Sequence, residues 1–123
     1  LNLIDAVRLI FESDVDVHIL SSVLDNEFAL KEKKEWLRLW LPWLPECSCH
    51  FIPYGSVKMP LIREKIAYLL DDYTRNLVHW SGVGIKFCTE CNDSRGSWDG
   101  YRIYATDTAP EIAEKIIMIM KRN

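Results

Sequence analysis

Hydrophobic positions change period several times along the chain, and each change marks an element. Residues 2 to 12 place Leu3, Ile4, Val7, Ile10 and Phe11 on one face at helical spacing, which predicts a helix lying on a sheet. Residues 15 to 20 alternate instead, with β-branched Val15, Val17 and Ile19, and read as a strand running into Ser21-Ser22. A charged helix follows from about residue 28 to 41, with Lys31, Glu32, Lys33, Lys34 and Glu35 outward, until Pro42 and Pro45 stop it. A short strand near residues 49 to 52 leads into the loop Pro53-Tyr54-Gly55-Ser56-Val57-Lys58. Pro60 suits the first turn of another helix.

The pattern then tightens around residues 65 to 76. The apolar run Ala67-Tyr68-Leu69-Leu70 is short enough for a buried strand and stops at Asp71-Asp72, after which an amphipathic segment reaches Trp80. Residues 82 to 87 read as a second buried strand and 89 to 100 as a polar loop bearing Asn92, Asp93, Ser94, Gly96 and Gly100. Tyr101 to Tyr104 reads as a short strand. Thr108-Ala109-Pro110-Glu111 combines a capping box with a first-turn proline and opens a final helix. Strands alternating with helices predict an α/β fold with a mainly parallel sheet, in one domain spanning residues 1 to 123.

Composition narrows the function classes. With 123 residues and 49% hydrophobic content, a core can form without disulfides. The net charge of −3, a pI near 5.6 and the lack of a clustered Lys/Arg footprint argue against a nucleic-acid polymer as partner. No apolar run approaches the roughly 20 residues of a membrane span, and no signal-peptide pattern opens the chain. A cytoplasmic protein is the expectation. Trp36, Trp40 and Trp43, at i, i+4 and i+7, read as a packing stripe, because a base-stacking platform needs interleaved basic residues.

The candidate chemistry sits at strand ends. In an open α/β sheet the carboxyl ends of strands line the ligand crevice, so Asp71 and Asp72 face it, and paired carboxylates suit a hard cation such as Mg²⁺. The plainer alternative is that Asp72 caps the turn at Tyr73. Ser21-Ser22 offers hydroxyls and backbone N–H groups to a phosphate oxygen, or else forms a turn. Lys58 is a point charge suited to phosphate, or a surface lysine. Asp14 and Asp16 lie at the opposite end of their strand and read as solvated. His18 reads as packed rather than catalytic. Cys88-x-x-Cys91, with Cys47, Cys49 or His50, could form a zinc site. The Cys47-x-Cys49 spacing is unusual for one, and reduced thiols are the simpler reading.

Taken in order, Val17-His18-Ile19-Leu20-Ser21-Ser22, Pro53-Tyr54-Gly55-Ser56-x-Lys58, Leu69-Leu70-Asp71-Asp72-Tyr73-Thr74-x-Asn76-Leu77 and Gly84-Ile85-Lys86-Phe87 resemble the haloacid dehalogenase-like phosphohydrolases, nearest to the cytosolic 5′(3′)-deoxyribonucleotidase type. The resemblance spans most of residues 14 to 100. It implies a Rossmann-like three-layer sandwich in which Ser21 hydrogen-bonds the phosphoryl group with Ser22 assisting. Lys58 would neutralise charge, Asp71 would bind Mg²⁺, and Asp72 would support the metal shell or Lys58. Such a site would take a small phosphorylated molecule, a nucleotide among the candidates.

One part of that pattern is missing. The family's aspartyl nucleophile stands in an Asp-x-Asp segment on a central strand between the Ser21 and Asp71 strands, and only a helix precedes the Ser21 strand here. Asp14 and Asp16 belong to the wrong strand to replace it. The expectation is a C-terminal part of a longer phosphatase, inactive as it stands. The alternatives are a binding or oligomerisation module, including a swapped dimer, and a small zinc-binding domain.

Overall fold

The computed structural model describes residues 2–56, 58, 67–89 and 98–123. The elements alternate as the periodicities predict. They are α1 (Asn2–Glu12), β1 (Ile19–Val23), α2 (Glu27–Trp40), β2 (Cys49–Pro53), β3 (Tyr68–Asp71), α3 (Thr74–Val78), β4 (Val83–Cys88), β5 (Tyr101–Tyr104) and α4 (Ala109–Arg122). The expected helix at Pro60 and most of the 89 to 100 loop fall outside the described residues.

Local signals account for the helix ends. Asn26 caps α2, its side chain accepting from Ala29 N at 2.8 Å. Thr108 caps α4 by accepting from Glu111 N, and its hydroxyl donates to Glu111 Oε1 at 2.8 Å, so the Thr-x-x-Glu pair is joined side chain to side chain. After α1 the chain reverses at Asp14, whose φ of 63° is the left-handed conformation that Asp tolerates better than most residues.

All the strand pairs are parallel, but they form two sheets. β1 pairs with β2, placing Ser21 opposite Phe51, and β3, β4 and β5 pair in that order, placing Asp71 opposite Lys86 and Lys86 opposite Arg102. Among the described residues, β1 and β3 each carry a partner on one side only. The first strand is also displaced from its expected span of 15 to 20. Its partner β2 begins opposite Ile19, so Val15 and Val17 pack as extended chain without a ladder, and Ser21 and Ser22 lie inside the strand rather than beyond it.

α1 is the piece common to both sheets. Its Ala6 and Ile10 are buried with Ile85, Ile103, Ile112, Ala113, Ile116 and Ile119, in the core between β3–β5 and the pair α1 and α4. Its Ile4 and Phe11 pack instead on Leu37, Leu41 and Leu44, the core beneath β1 and α2. Val17 touches both cores. Trp43 extends the second core, its ring 4.9 Å from Phe11, whereas Trp36 and Trp40 remain 50% and 42% exposed. Only one tryptophan of the stripe therefore behaves as a packed residue, because Pro42 turns the chain before Trp43 and redirects it inward.

The two sheet faces differ in content. Period-two alternation sends Tyr68, Leu70, Ile85 and Ile103 toward α1 and α4, and Leu69, Asp71, Gly84, Lys86 and Arg102 to the other side. α3 covers that other side through Leu77, and Trp98 lies with Leu77 over Gly84, where a Cβ would have only 3.1–3.2 Å to either. Glycine at position 84 leaves the room these two side chains fill.

Candidate functional site

Asp71 is the last residue of β3 and is buried, the residue as a whole being 8% exposed. Three donors converge on it. Tyr73 N donates to Oδ1 at 2.9 Å, which turns the chain from strand to α3, and Asn76 Nδ2 donates to Oδ2 at 3.1 Å from the first turn of that helix. Lys58 Nζ donates to the same Oδ2 at 2.6 Å, with side-chain exposures of 15% for the lysine and 5% for the aspartate. The turn reading offered for Asp72 thus belongs to Asp71, because the residue ending the strand is the one whose carboxylate reaches the next free N–H groups.

Opposing effects set the charge of Asp71. Burial alone would lift its carboxyl, but the Lys58 hydrogen bond, the Tyr73 N–H and the Lys58 charge more than offset this and hold it below the ordinary value. Asp72 goes the other way. It is exposed as a residue, yet burial of its carboxyl, followed by a hydrogen bond to Asp71 and that neighbour's charge, raises it above the ordinary value. The two carboxyls are therefore driven apart, Asp71 releasing its proton before Asp72 does, with the charge on Asp71 answered by Lys58.

Register extends the site sideways. Asp71, Lys86 and Arg102 occupy one row across β3, β4 and β5 on the α3-covered face. Lys86 is 1% exposed, and Arg102 donates to Trp98 O at 2.7 Å and to Cys88 Sγ at 3.5 Å. Sequence reading assigned no role to Lys86, Arg102 or Asn76. The alternation of β4 places Lys86 opposite the faces of Ile85 and Phe87, but only pairing with β3 sets it beside Asp71.

The serines stand apart from this cluster. Ser21 lies on the side of β1 turned to α1 and α2, where Lys33 Nζ donates to its hydroxyl at 2.9 Å. It helps line a cavity of about 520 Å³ whose other walls include Ile4, Val7, Trp36, Leu37 and Leu41. Asp71 faces away from α1 on its own sheet. Alternation turns Ser22 to the side opposite Ser21, the side that corresponds to Asp71's. The structure thus brings Lys58 and Asp71 together, with Asp72 beside them, and directs Ser21 elsewhere.

The donor set can be weighed against Mg²⁺. A carboxylate offers about four lone-pair positions; three of Asp71's accept from Lys58, Tyr73 and Asn76 and a fourth serves the hydrogen bond with Asp72, so a cation here would replace the proton that the two carboxyls share. One or two carboxylates with water completing the shell is the usual Mg²⁺ arrangement, and the residues fit that minimal form. No group of three His, Cys, Asp or Glu converges as a metal site among the described residues. Cys47, Cys49 and Cys88 are free thiols, and Cys91 lies outside the described residues.

No protein-family model matches the chain, and no curated protein sequence matches it. Among the described residues no helix is long and apolar enough to cross a membrane.

Two outcomes are expected. Asp71→Asn would set an amide NH₂ against the donors of Lys58 and Asn76, leave a largely buried ammonium without its counterion, and lower unfolding free energy by about 3 kcal/mol in urea titrations. Asp72→Asn acts with the opposite sign. Because the folded state holds the Asp72 proton above the ordinary value, wild-type stability falls as pH rises from that value through the folded one, so the variant should be the more stable protein at pH 7 and equal to wild type near pH 3. The Asp71 contribution runs conversely, being present above the ordinary value and lost as pH falls through the lower folded one. Thermal melts at both pH values check the sign.

Proposed function

We propose that this chain is a haloacid dehalogenase-like phosphohydrolase domain, whose intact form is a Mg²⁺-dependent phosphomonoesterase acting on small phosphorylated molecules such as nucleotides. The observation that carries the reading is the 2.6 Å contact between Lys58 and Asp71, contributed by separate segments at the carboxyl end of a parallel strand. A second support is that the strands form two sheets, β1-β2 and β3-β4-β5, where the family resemblance implies a further strand joining the Ser21 and Asp71 strands.

In this reading the chain's own residues prepare a phosphate site. Asp71, anchored by Tyr73 N and Asn76, fixes the ammonium of Lys58, which neutralises charge on the phosphoryl oxygens. Asp72 and Asp71 would hold Mg²⁺ in place of the proton their hydrogen bond shares, and the ion would polarise the phosphoryl group. Ser22, on the side of β1 corresponding to Asp71's, is better turned for the phosphoryl oxygen than Ser21. No acid in the described residues takes the nucleophile's part: Asp14 and Asp16 precede β1, at the end of the strand remote from the crevice.

The test is an assay of this 123-residue chain with p-nitrophenyl phosphate and Mg²⁺. No turnover is expected. Turnover that Asp71→Ala abolishes would show that the absent aspartate is not required and would overturn the assignment.

A second reading, a binding or oligomerisation module on the same fold, is favoured by a separate observation. β1, β2, β3 and β5 each have one edge unpaired among the described residues, and the cavity beside β1 is walled mainly by apolar side chains, with Trp36 half exposed at its rim. Unpaired edges are templates for another chain. Sedimentation velocity across a hundredfold concentration range should show self-association. A strictly monomeric, folded chain would remove this reading.

A further inference from the structure

The far end of β1 carries a second polar cluster, remote from the Lys58–Asp71 site and independent of the phosphatase reading. His18 directly precedes β1, and His50 lies on β2 opposite Leu20. His18 Nδ1 is 3.0 Å from His50 Nε2, with the ring centroids 5.2 Å apart, and His18 Nε2 is 2.9 Å from Asp16 Oδ1. Asp16 is 68% exposed and His18 29% exposed as side chains, so the cluster opens to solvent.

Charge and hydrogen bonding set the tautomers. The Asp16 carboxylate, 2.9 Å from His18 Nε2, favours the hydrogen of a neutral His18 ring on that nitrogen by charge. In the neutral ring Nδ1 then carries a lone pair, and His50 Nε2 must donate to it. Both rings are thus aimed at one shared hydrogen, and the first is oriented from behind by a carboxylate. That is the arrangement found behind metal-bound imidazoles, where a carboxylate holds the second ring nitrogen and sets the tautomer.

We propose that His18 Nδ1 and His50 Nε2 are the two protein ligands of a borderline divalent cation of the Zn²⁺ class, with Asp16 as the positioning residue for His18. Such ions prefer imidazole, whereas Mg²⁺ prefers oxygen, so this site and the Asp71–Asp72 site select different metals. The cation takes the place of the shared hydrogen, which moves to His50 Nδ1, so the rings lose no proton overall. Metal–nitrogen bonds of 2.0–2.1 Å at a tetrahedral angle need the nitrogens roughly 3.3 Å apart, an opening of about 0.3 Å from their present separation. No third His, Cys, Asp or Glu among the described residues joins them, so water fills the remaining positions.

Calorimetric titration of the chain with ZnCl₂ tests this, alongside ¹⁵N spectra of the histidine rings. One saturable equivalent is expected, with the His18 and His50 ring signals moving together. His18→Gln and His50→Gln should each abolish that equivalent. Asp16→Asn should keep the stoichiometry and weaken affinity roughly 10- to 100-fold. Cys47→Ser with Cys49→Ser should change nothing. Binding that leaves both ring signals still, that survives either histidine variant, or that disappears with the cysteines overturns the proposal, as does no saturable binding. The wild-type spectra decide the matter even where a variant fails to fold.

Discussion

The contact between Lys58 and Asp71 joins two parts of the chain that no strand pairing links. Lys58 follows β2, in the β1–β2 sheet, and Asp71 ends β3, in the other sheet. A charge pair this enclosed gains stability only where further hydrogen bonds satisfy the remaining lone pairs, and the Tyr73 N–H and Asn76 amide supply them. The same two donors turn the chain into α3. One carboxylate therefore ends a strand, starts a helix and ties down a loop lysine.

That arrangement also decides the character of the neighbouring acid. With Asp71 engaged by Lys58, Asp72 retains its proton more readily than an ordinary carboxyl, through burial and its hydrogen bond to Asp71. Two identical side chains at consecutive positions thus take different parts, one positioning a lysine and the other holding its proton against its neighbour's charge. Their division follows from which of them the strand buries.

The interrupted sheet is held together on its α1 side. α1 gives Ala6 and Ile10 to one core and Ile4 and Phe11 to the other, and Val17 lies in both, so hydrophobic burial spans the place where ladder hydrogen bonds are lacking among the described residues. Apolar contact is non-directional and can bridge such a place, whereas backbone pairing cannot. The opposite outcome appears beside β1, where the cavity next to Ser21 is walled by α1 and α2 without being filled.

Much of this was legible in the residues themselves. The span of α1, the capping box at Thr108 and Glu111 and the parallel α/β class follow from periods and dipeptide chemistry acting within a few residues of one another. The strand containing Ser21 was placed too early, because Val15 and Val17 alternate like a strand but have no partner opposite them, and a ladder needs one. The facing of Ser21, the choice of Asp71 over Asp72 as the buried acid, the row from Asp71 through Lys86 to Arg102 and the meeting of His18 with His50 depend on pairing between distant segments. Sequence alone determined which elements form, since their causes are local. Only the tertiary structure decided which side chains meet, because a strand's side chains change face with every residue and its partner sets the register.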